Sequence, residues 1–237
     1  MRFLGVIPAR GGSKEIPRKN IAFLGGKPLL AYTASAALEA SRLDRVILST
    51  EDEEIAEVGR SLGLEVPFIR PEALAQDETP TIDVLQHAVR ELSQGADDYD
   101  VIVTLQPTTP FRSASDIDEA IDLFETTGAD SVVSLVLPGG VHPFKMKTLS
   151  DDGWVGEPDF ACGKAHLPRQ ALPSYWLLEG SLYISKRRIL MEENRILGEK
   201  TQAWVVERHR TVNIDTPFDL WLAERMLVEP CSSEKDS

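Results

Sequence analysis

The apolar positions of this 237-residue chain follow two rhythms. Short apolar runs at 3–8, 45–49, 101–105, 131–137, 181–184 and 203–206 read as strands. Between them lie stretches with helical patterning. The stretch 28–43 is alanine-rich and opens with a proline at a first turn, and 52–62 begins on an acid and stops at Gly63. Residues 81–92 and 115–126 each open on an N-cap residue type, and 216–228 opens with Thr-Pro. This alternation predicts an α/β fold: a mostly parallel sheet with helices on both faces. The rhythm breaks over 138–178, which is rich in Pro, Gly, His, Lys and Asp and has no period. A segment that long inside a compact domain is expected to be a functional or interaction arm. The expected organisation is one domain over 1–228 with the arm 138–178 inserted, then a disordered polar tail over 229–237.

Charge changes the picture at one place. The chain carries a formal net charge of -13, with a pI near 4.8, which argues against a general nucleic-acid binder. Yet Arg10, Lys14, Arg18 and Lys19 fall within ten residues, directly after the first strand. Gly11 and Gly12 let that loop turn sharply. The strand delivers it to the carboxyl edge of the sheet, where open α/β folds bind ligands. Clustered cations and backbone amides suit a triphosphate. The alternative, a solvated basic turn, fits poorly in so acidic a chain. Neither G-x-x-x-x-G-K-[ST] nor G-x-G-x-x-G follows the first strand, which argues against a Walker-type or dinucleotide loop. Cys162 and Cys231 read as free thiols of a reducing compartment. No secretory pattern precedes the first strand and no apolar run approaches about 20 residues, so a cytoplasmic protein away from membranes is expected.

Three further segments map to the same sheet edge. The run 105–112 brings Gln106, Thr108, Thr109 and Arg112 after a strand. Arg70 and the run 77–81, with Thr79 and Thr81, form another, Thr81 doubling as a helix cap. Near the C-terminus Asn213 and Asp215 are two apart, so in extended chain they share a face. Together they offer oxygen ligands to a Mg²⁺ that takes its other ligands from water and phosphate. The competing reading makes Asp215 the N-cap of the last helix. The four histidines show no metal spacing: His87 reads as structural, and His142 and His166 lie in the arm, where a substrate contact stays open.

Taken together, segments 7–20, 105–112, 169–173, 180–183 and 213–216 resemble the acylneuraminate cytidylyltransferase family over roughly residues 2–228. The resemblance implies a nucleotidyltransferase fold, Mg²⁺ as cofactor, and a homodimer whose arms reach into each other's sites. It implies coupling of CTP to a nonulosonic, sialic-acid-like 2-keto-3-deoxy sugar acid with release of pyrophosphate. By position, it assigns Arg10, Ser13, Lys14, Lys19 and Asn20 to the CTP phosphates and ribose, and Arg70, Thr79 and Thr81 to the cytosine. It assigns Gln106 and Tyr183 to the sugar, Lys145 and Arg169 to cations from the partner subunit, and Asp215 with Asn213 to the metal. Arg10, Lys19 and Asp215 carry the catalytic roles. This sequence departs from the family pattern at three places: Glu15 stands for Gly, Asn213 for Asp, and Leu177, Leu178 and Glu179 for Arg-Pro-Asn. The last change leaves the acceptor open among N-acetylneuraminic, legionaminic, pseudaminic and rarer acids. Two other readings stay open: a transferase for another nucleotide or sugar, and a nucleotide-binding homologue without turnover.

Overall fold

The computed structural model describes residues 1–93, 98–161, 163–164 and 166–229. Cys162, Cys231 and the expected tail beyond Glu229 lie outside the described residues. Along the chain come β1 (Phe3–Pro8), the hairpin β2 (Phe23–Leu24) and β3 (Lys27–Pro28), α1 (Leu29–Glu39), β4 (Arg45–Ser49) and α2 (Glu53–Ser61). Then follow α3 (Thr81–Ser93), β5 (Val101–Thr104), α4 (Ala114–Thr127), β6 (Ser131–Val136) and the hairpin β7 (Thr148–Leu149) and β8 (Val155–Gly156). The chain closes with β9 (Leu177–Lys186), α5 (Arg187–Met191), β10 (Thr201–Val206) and α6 (Pro217–Val228).

Six strands form the main sheet, in the order β10-β6-β9-β5-β1-β4. β1 runs parallel to β4 and β5, and β10 parallel to β6, whereas β9 is antiparallel to both β5 and β6. The antiparallel strand follows from the arm. The chain leaves the carboxyl end of β6 into the arm and re-enters the sheet at that same end, so no crossover helix is needed. The apolar run at 181–184 is the inner part of this ten-residue strand. The two hairpins and α5 escape the sequence pattern because two to five residues are too short to show a period.

β1 is buried on both faces, and its alternation sorts the core. Phe3 and Ile7 face Leu30 and Ala34 of α1 and Ile117 and Phe124 of α4. Leu4 and Val6 face Leu85, Ala88 and Val89 of α3. The predicted helices form, with three differences: α1 ends at Glu39, before the expected 43, Thr81 is the first residue of α3 and not its cap, and α4 starts earlier. α4 is capped by Ser113, not Ser115: Ser113 Oγ accepts the Asp116 N–H while the Asp116 carboxylate accepts the Ser113 N–H. His87 packs edge-on against Phe68 at 5.1 Å, and burial holds its pKa below the ordinary value, as a structural histidine requires.

A third apolar cluster matters most for function. Ile16, from the basic loop, packs with Leu24, Leu29, Val212, Ile214 and Ala223. Burying one isoleucine is worth about 1.5–3 kcal/mol. This contact therefore fastens the basic loop to the segment carrying Asn213 and Asp215.

Within the arm, His142, Phe144 and Tyr175 stack edge-on in a trio with centroids 5.2–5.4 Å apart. Nδ1 of His142 accepts the Phe144 N–H at 3.1 Å, and Nε2 lies 3.0 Å from the Pro173 carbonyl. A neutral ring with its proton on Nε2 satisfies both bonds. His142 thus fastens the arm to itself, and the open substrate reading is replaced by this structural one. Leu149, Trp154, Val155, Phe160 and Trp176 leave large apolar surface exposed on the arm. Among the described residues no helix is long and apolar enough to cross a membrane.

Candidate functional site

The loop after β1 is held from beneath by acids. Gly11 donates its N–H to Glu51 Oε1 at 2.6 Å, and Glu51 Oε2 pairs with Arg70 at 2.7 Å. Arg70 is only 3% exposed, and burial lowers its pKa. It also lies near the Ser49 carbonyl, at 3.4 Å. Arg70 therefore acts on the loop through Glu51, which spends the Gly11 amide; its own Nε is buried with no partner among the described residues. Gly11 is glycine because a Cβ there would stand 2.5 Å from Asp52 Oδ2. Asp52 caps α2 through the Ile55 N–H and pairs with Arg18 at 2.5 Å. Arg18 takes a left-handed conformation, φ 52°, at a cost of about 1 kcal/mol that its pairs with Asp52 and Glu54 help offset.

Asn20 is buried, and its Nδ2 donates to the Arg10 carbonyl at 2.9 Å, which sets the loop's curvature. Ser13 donates its N–H to the Gly11 carbonyl at 3.1 Å. Arg10 and Lys14 share one carboxylate, that of Asp77, at 3.0 and 2.5 Å. This links the loop to the connection carrying Thr79 and Thr81, both half-buried, with Thr81 opening α3. Gly12 faces open space and Glu15 is exposed.

Lys19 reaches across to Asp215 at 2.9 Å. The Asp215 side chain is 60% exposed, and Asn213 Nδ2 donates to its second oxygen at 2.7 Å. Asp215 is not the cap of α6. Thr216 is, in a capping box with Asp219. That leaves the Asp215 carboxylate free of helix duty. Among the described residues no group of three His, Cys, Asp or Glu side chains is placed to hold a metal. One exposed carboxylate, with an amide oxygen two residues away, is an all-oxygen donor set. It fits a Mg²⁺ that keeps several waters and takes phosphate oxygens. As placed, Asn213 serves Asp215 as a hydrogen-bond donor, and only its amide oxygen is left to face an ion.

The Gln106 loop is built on a buried guanidinium. Arg112 donates to the Ser181 carbonyl at 2.9 Å, Thr33 Oγ1 at 2.8 Å, the Thr109 carbonyl at 2.9 Å and the Gln106 carbonyl. Burial pushes its pKa down to about 10. Arg112 is thus a scaffold for the loop and has no surface left for a ligand. Gly180, at φ 93°, lets β9 pass beside Gln106: a Cβ would stand 3.3 Å from Gln106 Oε1. The Thr108 carbonyl accepts the Ile214 N–H at 2.8 Å, tying this loop to the Asp215 segment. Glu179 turns inward, accepting the Ser181 N–H at 2.9 Å and the Thr211 hydroxyl.

The structure therefore gathers Arg10, Ser13, Lys14, Lys19, Asn20, Gln106, Asn213 and Asp215 at one carboxyl edge. Tyr183 sits deeper, half-buried in β9 opposite Thr104, with its pKa raised first by burial and then by Glu179. Lys145 lies in the arm, where Nζ donates to the Leu167 carbonyl at 2.8 Å. Arg169 opens a short turn (Arg169–Ala171), and its side chain lies outside the described residues. The sequence alone does not single out Glu51, nor does it show that Asp77 of the 77–81 run meets Arg10 and Lys14 or that Glu179 meets Thr211, because these partners are distant along the chain.

The chain matches the family described as Cytidylyltransferase over residues 4–152. It is 34% identical over 234 residues to the CMP-N,N'-diacetyllegionaminic acid synthase of Legionella pneumophila, covering 96% of this chain and 97% of that protein. It is 29% identical over 222 residues to the N-acylneuraminate cytidylyltransferase of Escherichia coli, covering 94% of this chain. There the chain spans about half the relative's length, 51%. Among solved structures it resembles a CMP:2-keto-3-deoxy-manno-octonic acid synthetase complexed with CTP, with a TM-score of 0.70 and 16% identity. That likeness covers 96% of this chain and 99% of the other.

Proposed function

The chain belongs to the cytidylyltransferase family, and on that premise we propose that it couples CTP to a nonulosonic, sialic-acid-like sugar acid, releasing pyrophosphate. The observation that carries this reading is the convergence of Arg10, Lys14 and Lys19 with Asp215 at one sheet edge, bridged by ion pairs that an incoming triphosphate can replace. The anomeric hydroxyl oxygen of the sugar bonds to the α-phosphorus of CTP, the bond from that phosphorus to the bridging oxygen breaks so that this oxygen leaves with pyrophosphate, and the hydroxyl proton passes to solvent water. Both reactants are anions, so the site must bring positive charge to their meeting point. Arg10 and Lys19 stabilise the charge that builds on the phosphates. Lys14, Ser13 and Asn20 hold and shape the phosphate loop, and Thr79 and Thr81 line the side toward the base. Arg70 supports them from below through Glu51. Gln106, on its Arg112 scaffold, and Tyr183 serve the sugar side. Positioning supplies much of the rate.

Asp215 would hold Mg²⁺, steadied by Asn213; the ion supplies charge that neutralises the triphosphate. Asp215→Ala is then expected to raise the Mg²⁺ concentration needed for half-maximal rate at least ~10-fold, by analogy with the loss of outer-shell metal partners. A Mg²⁺ titration that superimposes on the wild-type curve would remove Asp215 from the metal site. We assign the arm, with Lys145 and Arg169, to a two-fold dimer, because its exposed aromatic and aliphatic side chains need cover. Sedimentation at micromolar concentration should give twice the chain mass; a monomer would count against the shared arm.

The acceptor is read as an acid of the legionaminic or pseudaminic kind, since Leu177 and Leu178 present apolar surface at the start of β9 and Glu179 is turned away from the edge. Pyrophosphate release should be measured over a panel of 2-keto-3-deoxy sugar acids, with CTP and the other nucleoside triphosphates. Release confined to CTP and a nonulosonic acid is the expected result. Turnover with a different nucleotide overturns the CTP assignment, and CTP binding without turnover across the panel overturns catalysis.

A further inference from the structure

We propose that Asp77 is an internal occupant of the phosphate site, which a ligand must displace, and that it sets the minimum charge a ligand needs to bind. The inference rests on the reading of the 10–20 loop as a phosphate loop. Its two oxygens each take one cation: Arg10 sits 3.0 Å from Oδ1 and Lys14 2.5 Å from Oδ2. A single carboxylate thus bridges two loop cations much as two oxygens of one phosphate group would. Asp77 comes from a different part of the chain, the connection between α2 and α3, and among the described residues its carboxylate makes no cap or turn bond with its own backbone.

The charge pattern explains why an acid is placed there. Arg10 raises the electrostatic cost of the buried Arg70 guanidinium. Glu51 compensates Arg70 from below but leaves Arg10 and Lys14 to another anion. Asp77 provides one. Its carboxyl is held below the ordinary carboxylate range, first by its bond to Lys14, so it stays ionised as the partner of the loop cations. The pair is also reachable. The side chains of Arg10 and Asp77 are 38% and 39% exposed, so an incoming anion meets the bridge from solvent. A triphosphate brings several charges to replace the one it expels. A weakly charged anion gains little over Asp77 and is turned away.

The test is calorimetric titration with inorganic pyrophosphate, without Mg²⁺, comparing wild type with Asp77→Asn and with the control Glu78→Gln. Asp77→Asn keeps the side-chain shape and removes the charge. Two exposed ion pairs no longer have to be broken, which predicts binding about 2–30-fold tighter. Glu78→Gln alters net charge in the same exposed segment and should change affinity less than about 2-fold at 0.1 M salt, where screening acts over roughly 10 Å. Unchanged or weaker binding by Asp77→Asn overturns the inference while leaving the phosphate loop intact. An equal gain in the Glu78→Gln control overturns it too, by reducing the effect to general charge. No binding by any of the three proteins overturns the phosphate-loop reading, and the inference with it.

Discussion

Arg10→Ala is expected to lower kcat by about 10²-fold or more, the loss typical for one donor aimed at developing charge. The fold should hardly notice. Arg10 is a third exposed, and its side chain pairs with a carboxylate that keeps Lys14. An exposed, solvent-screened pair of this kind contributes little to stability. Its backbone carbonyl, which accepts from Asn20, remains. The change should therefore separate chemistry from stability, with kcat falling further than CTP affinity, because the guanidinium acts most strongly as charge builds on the phosphates. Steady-state kinetics beside a thermal melt reads both. A variant with near wild-type kcat would leave the basic loop without a catalytic role.

Arg112→Met is expected to do the opposite, striking the fold first. The guanidinium is buried and makes four hydrogen bonds, three of them to carbonyls of Gln106, Thr109 and Ser181. Its charge faces Glu179 and Asp116. Methionine fills much of the volume but removes all four bonds, leaves the Gln106 carbonyl only the Thr109 N–H at 3.4 Å, and takes away a positive charge near the buried Glu179 carboxylate. Stripping hydrogen bonds from three buried carbonyls, at the lower end of about 1–3 kcal/mol for each acceptor, puts the cost at about 3–5 kcal/mol. For a chain of this size that corresponds to a melting point lower by roughly 6–20 °C. Arg112→Lys should recover little, since one ammonium cannot reproduce the planar fork. Denaturant unfolding of the three proteins measures the loss directly. A cost under about 1 kcal/mol, within the range of an exposed pair, would show that the Gln106 loop stands without Arg112.

Much of the frame was legible because burial writes itself into periodicity. β1 shows it well: Phe3 and Ile7 serve one core, Leu4 and Val6 the other, and the run reads as a strand covered on both sides. The basic loop was legible for a different reason, as four cations in an acidic chain. What could not be read was pairing across long sequence distance. Nothing around Asp77 says that it meets Arg10 and Lys14, and nothing around Glu179 says that it faces Thr211. Caps show the same limit at short range. Ser113 and Ser115 are both suitable N-cap types, and only the geometry with Asp116 selects the first. Asp215 and Thr216 compete in the same way, and Thr216 wins because its hydroxyl meets the Asp219 N–H. The direction of β9 depends on where the arm returns, which no local pattern encodes.

That return has a consequence for how such a protein can diverge. The arm leaves after Val136 and comes back at Leu177, and these two residues are partners on neighbouring strands. Its ends are therefore about one strand spacing apart, near 4.8 Å. An insertion anchored at adjacent points can lengthen, shorten or be exchanged wholesale without shifting the register of the six strands. In the sheet, the strands that carry the cation loop and its neighbours, β5, β1 and β4, lie beyond β9 from the point of insertion. On the proposed role of the arm, grafting the arm of a relative between Val136 and Leu177 is expected to move acceptor preference while leaving the strands of the cation loop in register.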